Sequence, residues 1–425
     1  MSTIYVGTVK AIADLVLVPN ENLYTGSKKI MDCFGELDAL DEDLLNVASG
    51  IYAADLATPR RERELHCRDI EITIEVVHKQ SWDQVQKKLQ YALYVLSKDN
   101  WKIAFVKRKI KSSTYLDWNG SEGAVLLFSG GIDSMAGASE FLTRKEPLVL
   151  VSHSSQGNSV VDKSQKDVYQ ALCNHYKQKV PYYPIKVYGR NKGAHTFPDE
   201  RENTQRTRSF LFLTLAALVM KKNKMSKILF MAENGQFAVH LPLNQARVGP
   251  FSTHTADPLF LQYAQEIFSH LLENDNFCIE NPFLYKTKAE VFAVLPDPLK
   301  KKAIHSASCW KISRTKQHCG ECVPCISRRI AIEYNGLSFN EYLHDVFKSD
   351  LKTLPEDNTG KRNMVDYLEF ISTFKSIGDI KALINHHPEL HNDAFDLEKV
   401  IKMYHNMAKQ SYKVLDKYPN VVKMY

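Results

Sequence analysis

The chain has 425 residues, of which 44% are hydrophobic and 24% charged, and its formal net charge is +6. This length exceeds one ordinary hydrophobic core and indicates two or three domains. The composition is that of a soluble globular protein, and a mild positive charge without a long basic, aromatic-rich tract gives no indication of nucleic-acid binding. The longest apolar run, residues 210–220, is too short to span a membrane and predicts a buried helix. The first ten residues lack the layout of a signal peptide, so a cytoplasmic location is expected.

Residues 1–119 alternate between strand-like and helix-like patterns. The segments TIYVGTV, DIEITIEVV and WKIAFVKRKI indicate strands, and DALDEDLLNVASGIYAADL and WDQVQKKLQYALYVLS indicate helices. The polar turn DWNGSEG then marks a boundary. We therefore predict an N-terminal α+β module, in which no residue spacing indicates a particular chemistry.

From residue 120 the chain alternates regularly between strand and helix. Apolar runs such as AVLLF, PLVLVS and KILFMA are typical of parallel strands covered on both faces, and each is followed by a helical pattern. This order predicts a doubly wound α/β domain over residues 120–335, with ligands bound at the carboxyl ends of its strands. Residues 336–425 predict a helical C-terminal extension, interrupted by the polar segment PEDNTGKR.

The sequence SGGIDS, residues 129–134, follows the first strand of the α/β domain and precedes its helix. Glycines allow the backbone to approach a phosphate closely, and the first N–H groups of a helix attract anions. An isolated Gly-Gly pair would indicate only a tight turn, and the loop lacks the Lys-Ser/Thr of a Walker sequence. The complete string predicts a phosphate site. Its binding residues would be Ser129, Gly130, Gly131, Asp133 and Ser134, with the Asp133 carboxylate able to hold a metal ion.

Eight cysteines fall into two groups. Four are scattered and are expected to be ordinary core residues: Cys33, Cys67, Cys173 and Cys278. The other four have the spacing C-x9-C-x2-C-x2-C: Cys309, Cys319, Cys322 and Cys325. Four thiolates satisfy tetrahedral Zn²⁺ without an open position, which predicts a structural zinc site, with a redox CxxC as the alternative. His318 adjoins the cluster and is expected to be a bystander.

The loop resembles the PP-loop of the N-type ATP pyrophosphatases, whose fold is of the HUP, adenine nucleotide alpha hydrolase-like, type. A PP-loop followed by such a cysteine cluster resembles the QueC family, the 7-cyano-7-deazaguanine synthases of queuosine biosynthesis. RTRSFLFLTLAALV is similar to a family helix and places Arg208 on its arginine, and NPFLYKTKAEVFAVL places Lys288 on the family lysine. MAENGQ stands where the family has a glycine-rich turn. The resemblance covers roughly residues 124–332.

The resemblance implies ATP, Mg²⁺ and a small-molecule deazaguanine substrate. Enzymes of the family adenylate the carboxylate of 7-carboxy-7-deazaguanine with release of pyrophosphate, then combine it with ammonia and convert the amide to a nitrile. Asp133, Ser134, Arg208 and Lys288 would form the catalytic site, the last two contacting phosphate or the substrate carboxylate; a surface charge is the alternative for each of them.

Two segments depart from the family pattern. Where the family has Tyr-Gly-Gln-x-His, this chain has SHSSQGNS, which keeps Gln156 and a displaced His153. The segment QARVGPFSTHTADPLF is also different, and Asp257 within it matches either a family aspartate or a helix N-cap. These loops would handle the acceptor, so nitrile formation is the step that the sequence supports least.

The added N-terminal module and C-terminal helices resemble larger QueC-like proteins of anti-phage defence operons of the Qat and CBASS types, particularly QatC. That resemblance implies transfer of the acyl group to a protein amine, on a partner encoded in the same operon and held by the N-terminal module. The alternatives are a free synthase using ammonia, a tRNA-modifying PP-loop enzyme and a non-catalytic scaffold. Thiolases use catalytic cysteines near the PP-loop, which this chain lacks, and the intact loop disfavours a scaffold. No nucleic acid and no membrane partner are expected.

Overall fold

The fold is known from a computed structural model. It describes residues 2–8, 13–60, 67–109, 121–154, 159–202, 204–230, 234–243 and 255–422. The strands in these ranges are β1 (Ser2–Val6), β2 (Leu15–Leu17), β3 (Leu23–Tyr24), β4 (Asp69–Val76), β5 (Asn100–Lys107), β6 (Ser121–Leu127), β7 (Leu148–Ser154), β8 (Tyr182–Lys186), β9 (Tyr188–Gly189), β10 (Met225–Leu229) and β11 (Cys278–Glu280).

The helices in the same ranges are α1 (Ser27–Phe34), α2 (Ala39–Ala57), α3 (Lys79–Ser97), α4 (Ile132–Arg144), α5 (Ser159–Tyr176), α6 (Arg208–Lys222), α7 (Gly235–Ala238), α8 (Pro258–Leu271), α9 (Lys288–Ala293), α10 (Asp297–Ala303), α11 (Ile312–Thr315), α12 (Val323–Tyr334), α13 (Thr359–Thr373), α14 (Ile380–His386), α15 (Leu397–Leu415) and α16 (Pro419–Val422).

The central sheet has the strand order β11-β10-β6-β7-β8, and all its described pairings are parallel. Every residue of β7 is buried, as expected for a strand covered on both faces. Helices α6 and α8 pack on one face, and α4 and α5 belong to the core of the other face. The predicted doubly wound parallel sheet is confirmed. Its order reverses between β6 and β10, and such a reversal opens a crevice at the carboxyl ends of the strands.

The N-terminal module has its own four-stranded sheet, with the order β2-β1-β4-β5. β1, β4, β5, α2 and α3 lie where the sequence predicted strands and helices, whereas β2, β3 and α1 were not predicted. Every described pairing of this sheet is parallel, so the α+β description of the module is corrected to α/β. Helix α2 crosses over before β4, and α3 crosses over before β5. Such helical connections make the strands parallel, whereas short hairpins would make them antiparallel. Alternate residues of β5 are buried and exposed, so one face of this sheet is covered and the other is open to solvent.

The two sheets are joined through their helices. Helix α2 packs on α6, and α3 packs on α8, so that one continuous apolar core extends from the N-terminal sheet to the central sheet. A buried ion pair reinforces this contact, because Lys221 Nζ on α6 lies 2.8 Å from the Asp41 carboxylate on α2. The domain boundaries at residues 119 and 335 stay predictions.

Helix α6 is the apolar segment that the sequence predicted as a buried helix, and its residues from Ser209 to Lys221 are all buried. It ends with Lys221 and Lys222, whose positive charges are favourable near a helix C-terminus. None of the helices in the described ranges is long and apolar enough to cross a membrane.

The C-terminal helices pack on α12. Ile326 and Ile330 of α12 share a core with apolar side chains of α13 and α15. One expectation is corrected here: residues 337–358 contain turns and no described helix, so the interruption is longer than PEDNTGKR. Helix α13 begins inside that segment, because the Asn358 side chain accepts a hydrogen bond from Lys361 N and caps the helix.

Three of the four scattered cysteines are not core residues, which corrects a second expectation, whereas Cys173 packs against the core on the α4 and α5 face of the central sheet. Cys33 and Cys67 are exposed, and Cys173 and Cys278 are half-buried. A cysteine is a small residue, so it fits either a core or a surface position, and its type alone does not decide which.

Candidate active site

The predicted phosphate loop lies between β6 and α4, beside the point where the strand order reverses. Gly130 has a φ of 77°, in the left-handed region that favours glycine. A Cβ at this position would lie 2.7 Å from Gln165 Cα and 2.8 Å from Gln165 N, so the loop is pressed against the backbone of α5. The first N–H groups of α4 have no intrahelical acceptor, as at every helix N-terminus. The local geometry therefore fits an anionic group such as a phosphate.

The hydroxyls of the loop contact one another and the backbone. Ser129 Oγ lies 3.2 Å from Ser134 Oγ, and Ser134 Oγ donates to Gly131 O over 3.2 Å. Ser134 is fully buried. In this arrangement both serines stabilise the turn. Their binding of phosphate stays a prediction.

Asp133 is the best-connected side chain of the loop. Each of its carboxylate oxygens lies 2.8 Å from Lys288 Nζ, and one also accepts from Asn234 N at 3.2 Å and Asn234 Nδ2 at 3.4 Å. All three residues are buried. In the described part of the chain Oδ1 accepts only from Lys288, so this oxygen keeps a lone-pair site for a cation. Two predicted site residues that are distant in sequence thus meet at the crevice.

Lys288 is placed by the start of α9. Thr287 caps this helix in a capping box with Glu290, which makes Lys288 the first helical residue. The Lys288 backbone N donates to Gln236 Oε1 over 2.5 Å. The Gln236 side chain comes from α7, the short helix that follows the end of β10. Gln236 therefore holds the backbone of Lys288, and Asp133 holds its ammonium group.

Arg208 lies with His153, a residue of β7, the strand next to β6. Arg208 Nε donates to His153 Nδ1 over 3.3 Å, and Arg208 Nη2 donates to His153 O over 3.2 Å. His153 Nε2 lies 3.2 Å from Val187 O and therefore carries the ring proton. Burial, together with the Arg208 charge, lowers the pKa of His153 to about 3. Burial also lowers the pKa of Arg208. The imidazole is thus neutral and orients the guanidinium instead of exchanging protons.

The four clustered cysteines meet in a buried site. Their Sγ atoms all lie within 4.8 Å of one another, with 3.8 Å between Cys309 and Cys322 and 4.0 Å between Cys319 and Cys325. Tetrahedral Zn–S bonds of ~2.3 Å require S–S separations of about 3.8 Å. Cys322 is the N-cap residue of α12, so the last cysteines lie on a turn and a helix start. The donor set fits a structural zinc ion.

The cysteine site supports the phosphate loop from outside. Ser164 Oγ donates to Gly130 O over 3.0 Å and accepts from Ala307 N at 2.9 Å, two residues before Cys309. A Cβ on Gly131 would lie 3.3 Å from Ala307 O. Loss of order around the four cysteines would therefore also disturb the backbone of the phosphate loop. His318 is not among the four clustered ligands; its Nε2 accepts from Ser308 N at 3.4 Å.

One further sequence candidate, Asp257, has a clear outcome in the structure. Asp257 caps α8, with its carboxylate accepting from Leu259 N at 2.9 Å and from Phe260 N at 3.4 Å. The N-cap alternative for Asp257 therefore describes its position. Gln156 lies outside the described residues, as does the first half of MAENGQ.

Sequence reasoning missed several residues that build the site. Asn234 and Gln236 lie in the segment MAENGQ, but their contacts to Asp133 and Lys288 could not be read from it. Tyr52 and Asp55, on α2 of the N-terminal module, contact His153 and Thr207 at the Arg208 side of the site. An acidic residue at the end of the mostly apolar second half of α2 was the available signal for Asp55.

The parallel sheet, the glycine loop at its reversal point and the buried Asp–Lys pair beside that loop define a PP-loop nucleotide-binding protein of the α/β class. A family model described as queuosine biosynthesis protein QueC matches residues 123–336, about half of the chain. The chain belongs to this QueC family, whose members are ATP-using synthases of deazaguanine chemistry. No curated protein matches the chain.

Proposed function

We propose that the protein is an AMP-forming ligase that activates the carboxylate of 7-carboxy-7-deazaguanine with ATP and transfers the acyl group to an amine. The observation that carries this proposal is the Asp133–Lys288 pair beside the Gly130 loop, because it supplies a buried cation and a carboxylate suited to a metal ion next to the proposed phosphate site. The matched family uses ATP in chemistry on the same class of substrate. A cytoplasmic location, predicted from the sequence, belongs to the proposal.

In the proposed reaction a carboxylate oxygen attacks the α-phosphorus, and the bond from that phosphorus to the bridging oxygen of pyrophosphate breaks. The amine nitrogen then attacks the acyl carbon, loses a proton to solvent, and AMP departs with the electrons of the acyl C–O bond. The loop residues bind the phosphates through backbone N–H groups, which stabilise the negative charge that develops on pyrophosphate. Asp133 would hold Mg²⁺, which supplies Lewis-acid stabilisation of that charge.

The two basic residues have separate roles in the proposal. Lys288 lies at the Gly130 loop and supplies positive charge to the phosphates. Arg208 lies at the neighbouring strand end, where its guanidinium can pair with a carboxylate in a bidentate manner. We therefore assign the substrate carboxylate to Arg208.

The acceptor is proposed to be a protein amine within an anti-phage defence system of the Qat type. Support comes from the added N-terminal layer and C-terminal helices, which lie outside the residues matched by the family model. Ammonia as acceptor, giving a free amide or nitrile, is the second candidate, because the matched family belongs to queuosine biosynthesis.

The test is to incubate the purified protein with Mg-ATP, 7-carboxy-7-deazaguanine and the product of the neighbouring gene, and to record the masses of both proteins and of the small molecules. A partner heavier by one deazaguanine acyl group, with AMP formed, is the expected result. AMP with only a free amide or nitrile would identify ammonia as the acceptor. Absence of AMP in every combination would overturn the ligase proposal. An Asp133→Asn variant, expected to form no AMP, is the matched control.

A further inference from the structure

The N-terminal layer reaches the active site through one helix. Asp55 on α2 is fully buried, and its Oδ2 atom accepts two hydrogen bonds from Thr207, at 3.0 Å from the backbone N and 2.9 Å from Oγ1. Its other oxygen lies 2.6 Å from Arg68 Nη2. Thr207 is the N-cap residue of α6, and Arg208 is the first residue of that helix. A side chain from outside the matched family domain therefore fixes the residue immediately before Arg208.

The Asp55 contact is suited to hold a helix start. The first N–H groups of a helix lack intrahelical acceptors, and a carboxylate beside them is favoured by the helix dipole. Thr207 makes no cap hydrogen bond with its own side chain; Asp55 instead accepts from the backbone N–H of this N-cap residue, one of the N–H groups at the helix start. The anchoring is rigid, because Arg68 also lies 2.6 Å from Asp99 within the same buried network.

Tyr52, one turn before Asp55 on α2, supports the other partner of Arg208. Its ring meets His153 edge-on, with ring centroids 5.4 Å apart and planes at 86°. Its hydroxyl donates to Gln205 Oε1 over 3.2 Å, in the segment that leads into α6. On the opposite side Phe212 meets His153 at 5.5 Å and also underlies the Arg208 guanidinium at 5.0 Å. Side chains of α2 thus contact His153, Gln205 and Thr207, the residues that surround or precede Arg208.

We propose that Asp55 and Tyr52 are positioning residues for Arg208, so that the N-terminal layer takes part in substrate activation as well as in folding. This inference rests on the proposed role of Arg208 in binding an anionic group of the reaction. It predicts that loosening the Asp55–Thr207 contact weakens binding at Arg208 while the Asp133–Lys288 side of the site keeps its geometry.

The test is Thr207→Val, which removes the hydroxyl hydrogen bond to Asp55 and leaves the Asp55–Arg68 pair intact. The matched control is Thr214→Val, on the same helix, because Thr214 is also buried and, among the described residues, its hydroxyl bonds only the helix carbonyl of Phe210, at 2.9 Å. Exchange of labelled pyrophosphate into ATP in the presence of 7-carboxy-7-deazaguanine reports adenylation without any acceptor. We expect Thr207→Val to raise KM for the deazaguanine about tenfold, and Thr214→Val to change it less than twofold; a tenfold change is about 1.4 kcal/mol.

A double-mutant cycle separates positioning from a general loss of stability. If Thr207 acts through Arg208, Thr207→Val has no further effect on KM in an Arg208→Ala background. Equal effects of Thr207→Val in both backgrounds, or equal KM values for the two threonine variants, would overturn the inference. Denaturant unfolding of each variant monitors the fold. If Arg208→Ala itself leaves exchange unchanged, the proposed role of Arg208 fails and the inference fails with it, whereas the rest of the ligase proposal stands on AMP formation.

Tyr52 supplies a second, independent pair of variants. Tyr52→Phe keeps the ring edge against His153 and loses only the bond to Gln205, so its KM should stay within about threefold of the parent value. Tyr52→Leu removes the ring, and we expect it to raise KM about tenfold, as Thr207→Val does. A Tyr52→Leu protein with an unchanged KM would contradict the contribution of Tyr52.

Discussion

Lys288 Nζ lies 2.8 Å from both carboxylate oxygens of Asp133, although the two residues are 155 positions apart. The pair joins α4, which begins at the phosphate loop, to α9, which follows the last strand of the sheet. Because the ammonium contacts both oxygens, it fixes the carboxylate orientation at the position where a metal ligand is proposed. The pair therefore links two helices that border the crevice, and it also places a positive and a negative charge there.

The first prediction concerns the stability of this pair. Lys288→Met leaves the Asp133 carboxylate buried without its cation, and removal of one partner of a buried pair costs about 3–5 kcal/mol. In Asp133→Asn/Lys288→Met the charge is removed from both sides, so the loss should be smaller than the sum of the single losses. Urea unfolding measures these free energies.

The control for this pair is Lys300→Met. Lys300 Nζ lies 3.0 Å from Asp297, whose side chain is 84% exposed, and an exposed pair contributes about 1 kcal/mol or less. Similar losses for the Lys288 and Lys300 variants would contradict the assignment of a strong buried pair.

The second prediction compares two glycines with the same backbone conformation. Gly130 and Gly336 have φ values of 77° and 78°, but a Cβ on Gly130 would clash with Gln165, whereas a Cβ on Gly336 would meet nothing within 4 Å. Gly336→Ala should therefore cost only the left-handed conformation, about 1–2 kcal/mol. Gly130→Ala should cost more and abolish Mg-ATP binding, because the loop must move away from α5.

Isothermal calorimetry with Mg-ATP and denaturant unfolding check both glycine variants. Gly336→Ala should keep the affinity of the parent protein, since Gly336 lies beyond the end of α12. Unchanged ATP affinity in Gly130→Ala would contradict the assignment of this loop as the phosphate site.

The third prediction concerns the cysteine site. The purified protein should contain one zinc ion per chain, and Cys322→Ser should contain almost none, because three thiolates bind Zn²⁺ far more weakly than four in a closed structural site. Elemental analysis measures the content. Loss of zinc should also weaken Mg-ATP binding, since Ala307 beside the cluster contacts Ser164 under the loop.

Cys278→Ser is the matched control for zinc, because Cys278 is half-buried and lies outside the cluster. It should keep both the zinc content and the ATP affinity of the parent protein. Zinc content that survives Cys322→Ser would show that the four cysteines do not form one closed site.

The fourth prediction concerns pH. The pKa of His153 is lowered to about 3 by burial and by the neighbouring Arg208, against about 6.5 in an unfolded chain. The unfolded state therefore binds a proton first as the pH falls, so the neutral histidine favours folding above pH ~6.5 and this advantage is lost between pH ~6.5 and ~3. The loss from this group reaches about 1.4 kcal/mol per pH unit in that window.

Unfolding free energies at several pH values test the role of His153. His153→Gln should show a shallower decline on acidification than the parent protein, and His175→Gln, on the exposed side of α5, should follow the parent curve. Parallel curves for the His153 variant and the parent protein would contradict a buried neutral imidazole.

Much of the fold could be predicted because its signals are local. The apolar runs of β6 and β7, the apolar helix α6 and the spacing of the four clustered cysteines each lie within a few turns or strand lengths of sequence. The glycine loop is equally local, since its geometry depends on adjacent residues. The partly alternating pattern of β4 and β5 also matched, because one face of their sheet is covered and the other is open.

Long-range relationships could not be predicted in the same way. Nothing near Lys288 in the sequence identifies Asp133 as its partner, and nothing near Asp55 identifies Thr207. Parallel pairing in the N-terminal sheet depends on where α2 and α3 pack, which is decided by α6 and α8 much later in the chain. The missed exposure of Cys33 has a similar cause, because a short cysteine side chain carries little information about its surroundings.

The packing of α3 on α8 has a consequence for synthesis on the ribosome. Residues 79–97 of α3 leave the ribosome well before residues 258–271 of α8, which cover them in the finished fold. At 5–20 residues per second the interval is about 10 to 35 seconds. During that time the side of α3 that carries Tyr91, whose ring centroid lies 4.9 Å from that of Tyr263 on α8 in the folded chain, lacks its final cover. Until α8 is synthesised, the nascent N-terminal layer therefore exposes surface through which the chain can aggregate.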